Sequence, residues 1–306
     1  MFTLIIIEFL KNIFTYYILS KYKYEYKTKT LTIYNESNCD LSEFSKQTKI
    51  IIFKNSYLST ICYQKIINFP KKLTQLTFNN SFNQKINNLR LYHLTHLTVG
   101  QEFNQKVNNL PKSLTHLTFG QNFNQYVNHL PQKLTHLTFG FEFNQKVDNL
   151  PKYFLGFPQN LTHITFGFEF NQKVDNLPKY FLGFPQNLTH ITFGFEFNQK
   201  VDNLPKYFLG FPQNLTHLTF GSCFNQKVDN LPQSLTHLTF GFYFNQTIDN
   251  LPQNLYELNF INYYIIFNKE VNNLPLSLQS LKIPDRINFL FKIPFGCKTQ
   301  YIIKNN

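Results

Sequence analysis

Alanine and tryptophan are both absent from this chain, methionine occurs once and cysteine four times. Each shortage excludes something. Alanine is the strongest helix former, and a sequence that does without it while carrying 14 prolines is not built from long helices. The four cysteines, Cys39, Cys62, Cys223 and Cys297, are scattered without paired spacing, so they make neither a disulfide framework nor a zinc knuckle. They fit a reducing location inside a cell, and the cytoplasm is the expected one. The sequence also lacks a glycine-rich phosphate loop, a nucleophile elbow and any pair of acids in a unique setting. No catalytic residue and no cofactor is therefore assigned, and the chain is read as non-enzymatic. Long apolar runs are missing too. The first twenty residues are apolar but are interrupted by Glu8 and Lys11, begin without a basic segment and are followed by no small-residue cleavage site. Neither a signal peptide nor a spanning helix is expected there, and a membrane is not an expected partner.

The net charge of +12 raises nucleic acid as a partner, and its placement answers the question. Residues 1–74 carry 11 basic and 5 acidic side chains, residues 75–260 carry 12 and 10, and residues 261–306 carry 6 and 2. The excess lies at the two ends. Binding along a phosphate backbone needs a continuous basic stripe, and the middle of the chain does not supply one. Nucleic acid is not an expected partner.

The middle is occupied by a phrase that returns. Its leading leucine falls at Leu73, Leu94, Leu114, Leu134, Leu161, Leu188, Leu215, Leu235, Leu255 and Leu278, at steps of 21, 20, 20, 27, 27, 27, 20, 20 and 23 residues. Periods of this length with an L-x-x-L-x-L core predict a solenoid of the leucine-rich-repeat kind. In Leu114-Thr115-His116-Leu117-Thr118-Phe119 the alternation predicts a short strand. Leu114, Leu117 and Phe119 point inward, while His116 and Thr118 line the outer face of a parallel sheet. Gly120 lets the chain turn. Phe123 is the next buried ring, Asn124 satisfies backbone groups in the turn, and Val127, Leu130 and Pro131 close the other side. One turn cannot bury these residues alone, so neighbours must stack.

The recurring Phe-Asn-Gln-x-Val/Ile, then Asn-Leu-Pro, then Leu-Thr-His-Leu-Thr-Phe-Gly, over about residues 69–283, resembles the FNIP repeat. That family belongs to the leucine-rich repeats and is abundant in social amoebae and giant viruses of amoebae. The resemblance implies protein recognition without catalytic residues, in the host cytoplasm for a viral member. The expected fold is a repeat solenoid with a parallel β-sheet on the concave face, a mostly irregular or short-helical convex side and few long helices. Residues 1–45 form an N-terminal cap, residues 46–283 the array, and residues 284–306 a C-terminal cap and tail. Leu31-Thr32-Ile33 and Lys49 to Phe53 read as worn strands, and Leu278 to Ile283 as a terminal one.

Two surfaces are candidates for binding. The first is a column at one strand position, His96, His116, His136, His163, His190, His217 and His237, with threonines such as Thr118 and Thr138 beside it. A straight row offers one ion at most two or three ligands, with no acid or cysteine alongside, so no metal is assigned. Protonation would set neighbouring imidazoles against one another, and acid is expected to weaken the array. The second surface comes from three longer units. Residues 141–167 and 168–194 are identical, and 195–221 differs only at Leu218. The seven extra residues of each are read as a loop between Leu-Pro and the next strand. Its aromatics are Tyr153, Phe154 and Phe157, then Tyr180, Phe181 and Phe184, then Tyr207, Phe208 and Phe211. They either pack as a buttress or expose an adhesive patch. Asp148, Asp175, Asp202, Asp229 and Asp249 align, following a lysine in most units, in a pattern of mutual neutralisation rather than calcium binding.

The function expected is a protein-interaction scaffold. An alternative comes from Glu8 to Tyr17 (EFLKNIFTYY), which resembles the opening of an F-box. That resemblance implies a substrate adaptor recruiting a ubiquitin-ligase core through residues 1–45.

Overall fold

The structure, a computed structural model, describes residues 22–34, 41, 44, 46–54, 68–86, 89–147, 157–174, 184–201, 211–261, 267–285 and 290–302. Glu8 to Tyr17, on which the F-box resemblance rests, lie outside these residues.

The repeat phrase folds as its spacing predicts. Strand β1 (Tyr22–Glu25) is followed by β2 (Thr30–Ile33), β3 (Ile50–Phe53) and β4 (Gln75–Thr77). Seven strands then each begin at a histidine: β5 (His96–Thr98), β6 (His116–Thr118), β7 (His136–Thr138), β8 (His163–Thr165), β9 (His190–Thr192), β10 (His217–Thr219) and β11 (His237–Phe240). The chain continues through β12 (Glu257–Phe260), β13 (Ser280–Pro284) and β14 (Lys298–Ile302). All fourteen lie in one sheet in chain order. Every neighbouring pair is parallel except β1 and β2, which form an antiparallel hairpin at the first edge. Among the described residues the convex side is irregular and holds no α-helix. The parallel sheet is longer than the repeat phrase at both ends. It begins with β2, inside the segment expected to be a cap, and the other expected cap contributes β14 in parallel register with β13.

Register is set by identity. His116 pairs with His136, Leu117 with Leu137 and Thr118 with Thr138, so like stands on like from β5 to β11. The 27-residue units leave this unchanged, since His136 pairs with His163 in the same way. Leu117 and Phe119 are buried within a core that runs the length of the array. Behind the sheet stand two phenylalanine columns. In each turn the first ring stacks on the second, as Phe119 on Phe123 at 3.7 Å. Burying one such ring stabilises by about 1.5–3 kcal/mol.

Equivalent rings are related by one turn, so their separation measures the local rise. The histidine rings on the open face lie 4.1–4.3 Å apart. The first phenylalanine column is spaced 5.5–5.9 Å and the second, deeper one 6.0–6.1 Å. Paired strands lie at about 4.8 Å, between the two. The turns therefore fan open away from the histidines, and the histidine face is the concave one.

The asparagine after the second phenylalanine forms a ladder. Asn104 Oδ1 accepts the backbone N–H of Asn124 at 3.0 Å and the side-chain N–H of Gln125 at 2.9 Å, and the pattern continues through Asn124, Asn144, Asn171, Asn198 and Asn225. This is the physical content of the Phe-Asn-Gln triplet: a core ring, a rung, and a clamp on the rung below.

Two expectations need correction. Gly120 and its equivalents were expected to supply turn conformations, but among the described residues the only glycine with positive φ is Gly296. Their role is close approach. A Cβ built on Gly120 would fall 2.0 Å from the carbonyl oxygen of Gly100, and one on Gly167 1.6 Å from that of Gly140. The second correction concerns the long units. The N–H of Leu161 bonds to the Pro158 carbonyl as that of Leu114 bonds to Pro111, so Phe157-Pro158 takes the place of Leu110-Pro111. Phe157, Phe184 and Phe211 are core residues, Phe157 only 6% exposed. Of the two alternatives for these rings, a packed buttress or an exposed patch, their burial fits packing, because a ring at that position fills the volume a leucine fills in the short units. The inserted residues lie upstream of them. Tyr153, Phe154, Tyr180, Phe181, Tyr207 and Phe208, with Asp148, Asp175 and Asp202, lie outside the described residues.

Two substitutions test these roles by denaturant unfolding. Asn171→Ala leaves the N–H of Asn198 without its partner and is expected to cost about 1–3 kcal/mol. Gly167→Ala forces a methyl group into backbone and is expected to cost about 1–3 kcal/mol or more. The exposed neighbour Lys173→Ala is the reference. A loss in either variant no larger than in the reference contradicts the role assigned to that residue.

Candidate functional site

The concave column is assembled by the strands alone. Each strand carries histidine first and threonine third, both half-exposed, with the residue between them buried. The structure thus places all seven predicted histidines, with Thr118 and Thr138, on one continuous face. Successive imidazoles stack at 4.1–4.3 Å with their planes within 13° of parallel. Past His237 the column continues with Glu257, and before His96 it begins with Gln75. Tyr256 lies beside His237 at 5.8 Å.

Each ring is anchored from behind. The hydroxyl of the preceding threonine meets Nδ1, as Thr115 Oγ1 meets His116 at 2.9 Å. The same hydroxyl lies 3.1 Å from the Thr95 carbonyl oxygen of the previous turn. The position of these threonines immediately before each histidine was visible in the sequence, but the contact they make was not.

Stacking has an electrostatic consequence. Burial, followed by the charge of neighbouring imidazoles, holds His116, His136 and His163 below the ordinary histidine value of 6.5. His217 is lowered by burial and by His237, against an opposing pull from Glu257. His190, in the middle of the run, is pushed down to about 4. At neutral pH these five rings are uncharged. Stacked rings aim their nitrogen lone pairs side by side, whereas zinc needs them converging at about 2.0–2.1 Å. Among the described residues no three histidine, cysteine, aspartate or glutamate side chains could hold a metal ion.

A second surface was missed. The residue after the glycine is Phe141, Phe168 and Phe195 in three successive turns. These rings stack at 4.4 and 4.5 Å, with Phe141 42% and Phe195 39% exposed. Glu142, Glu169 and Glu196 follow them in sequence. The signal available was a change of chemistry at one repeat position, from Gln101 and Gln121 to phenylalanine.

A single parallel sheet with one short strand per 20–27 residues, all turns bonded in register, defines a solenoid of the leucine-rich-repeat class. Within that class the FNIP Repeat family matches residues 93–122, 103–142, 209–243 and 224–263, so the chain carries FNIP repeats in those residues. It is similar to the giant-virus protein CroV588, whose crystal structure is described as a novel circular LRR protein structure, with 30% identity and a TM-score of 0.60 over 92% of this chain and 51% of that one. The chain therefore spans about half the length of that relative. YopM from Yersinia enterocolitica WA-314 matches at 18% identity and a TM-score of 0.47, over 82% of this chain and 59% of YopM. A leucine-rich repeat protein from Bacteroides ovatus ATCC 8483 matches at 12% and 0.24, over 89% and 83%. No curated protein matches.

The lowered histidine values fix the sign of a pH response. In the unfolded chain these groups take up protons near 6.5, whereas in the folded chain the five stay neutral to lower pH. Below 6.5 the unfolded state binds more protons, so stability falls as pH falls toward 4. A thermal midpoint series from pH 7.5 to 5.0 is expected to drop further for the native chain than for a variant with glutamine at the five positions. Parallel curves contradict the electrostatic account of the column.

Proposed function

We propose that this protein is a non-catalytic interaction scaffold that receives a protein partner on its concave face, in the cytoplasm. One observation carries the reading. The seven-histidine column and its flanking threonines form an unbroken, half-exposed polar face with identical register from turn to turn. Everything beneath that face is committed to packing. The leucine-rich class supports the reading, since a curved sheet presents a wide surface of low conformational entropy to a partner.

A photo-crosslinking residue at Thr165, in the middle of the concave face, is expected to capture a discrete partner that one at the convex Lys173 does not. The capture is expected to disappear when His163 and His190 are replaced. Equal capture from both positions contradicts the assignment of the face.

The adaptor alternative draws its support from the sequence of Glu8 to Tyr17. Removal of residues 1–45 is its test: ligase-core subunits lost with that segment support it, and an unchanged set of partners ends it.

A further inference from the structure

The geometry behind each histidine favours one ring nitrogen for the proton. Thr115 Oγ1 is 3.1 Å from the Thr95 carbonyl oxygen and 2.9 Å from His116 Nδ1. The hydroxyl has one proton, and the carbonyl oxygen can only accept. If the hydroxyl donates to the carbonyl, the imidazole donates Nδ1–H to the hydroxyl oxygen, and both contacts hold a proton. The opposite assignment leaves two oxygens facing each other at 3.1 Å with no proton between them. The Thr95 carbonyl also accepts the N–H groups of Thr115 and His116 at 2.9 and 3.0 Å, so the avoided oxygen–oxygen contact is what selects the first arrangement, and it recurs at Thr95–His96, Thr135–His136, Thr162–His163, Thr189–His190, Thr216–His217 and Thr236–His237.

A neutral imidazole protonated on Nδ1 has its lone pair on Nε2. Nδ1 is used inward, so Nε2 is the nitrogen left for a ligand. We propose that the concave column is a row of seven hydrogen-bond acceptors, and that its ligand is a protein segment presenting arginine and lysine side chains. This rests on the reading of the concave face as the binding face and names the chemistry it selects.

Spacing and charge both favour that ligand. With rings 4.1–4.3 Å apart, the three donors of an ammonium or the five of a guanidinium can serve adjacent turns. A carboxylate or phosphate brings no donor and meets lone pairs. The charged group nearest the column's end is the Glu257 carboxylate beside His237. On the same strand position Ser280 and then Lys298 follow, and Lys282 stands in the threonine column next to Asn259. At the β12 end the first charge a ligand meets beyond the histidines is therefore negative.

Two measurements test the proposal on the full chain at pH 7.5. In nitrogen-resolved spectra of histidine-labelled protein, the seven column residues are expected as the Nδ1–H tautomer, with Thr162→Val and Thr189→Val releasing His163 and His190 alone. A column of Nε2–H tautomers, or rings unmoved by the two valines, overturns it. The second measurement titrates fluorescent peptides of alternating arginine and serine or of alternating glutamate and serine. A chain of net charge +12 attracts the glutamate peptide through its overall field, so any preference for arginine has to come from a local site. The arginine peptide is expected to bind at least about tenfold more tightly, equivalent to about 1.4 kcal/mol, and to lose that preference in H163L/H190L. Equal affinities, a preference for glutamate, or a preference that survives the double variant overturns it. Crosslinking at Thr165 judges the face itself, so a partner seated there without arginine preference defeats the ligand class and leaves the scaffold reading standing.

Discussion

Each turn of this solenoid is held to the next by contacts that run along the array, and the rest of the structure follows from the need to keep those contacts in line. Backbone N–H groups of one strand reach carbonyls of the neighbour, asparagine Oδ1 atoms take N–H groups of the next turn, and glycine Cα atoms sit directly over carbonyl oxygens. None of these contacts tolerates a shift of one residue. A one-residue slip in a strand exchanges its buried and exposed faces, and here it would also take the asparagine off its rung. That constraint explains why the units differ in length only where the ladder does not run. Seven residues enter each long unit upstream of Phe157, Phe184 or Phe211, and the strands that follow pair as if nothing had been added.

The same stacking produces the chemistry of the concave face. Fanning places the phenylalanine columns at 5.5–6.1 Å and draws the histidines to 4.1–4.3 Å. Burial and neighbouring rings hold His116, His136, His163, His190 and His217 below the ordinary histidine value when the fold is intact. The threonine behind each ring fixes its orientation through a carbonyl that belongs to the turn before. Curvature, protonation and hydrogen-bond polarity are thus consequences of one repeated translation. The face is uniform because the turns are, and a uniform row suits a partner that meets it along its length rather than at one point.

Much of this was legible in the sequence, and for a physical reason. A period makes position meaningful, so the inward Leu117 and Phe119, the outward His116 and Thr118, and the turn-satisfying Asn124 could each be placed from spacing. What could not be read depends on the third dimension between turns. Gly120 looks like a turn residue in one dimension, and only the carbonyl of Gly100 beneath it shows that the side chain is excluded by contact. Phe157 sits in an insertion by alignment on Leu-Pro, yet the hydrogen bond from Leu161 to Pro158 makes Phe157-Pro158 the structural pair. The Phe141, Phe168 and Phe195 ridge went unremarked because duplication made every residue of those units look equally repeated. The threonine relay was hidden because its hydroxyl reaches a carbonyl of the turn before.

Long and short units share one uninterrupted ladder. Backbone hydrogen exchange resolved to single amides is the measurement that checks this. The N–H groups of Phe166, Asn171, Phe193 and Asn198, in long units, are expected to be as protected as those of Phe119 and Asn124 in a short one. Exchange in the long units that is faster by orders of magnitude, with the short units still protected, would contradict it.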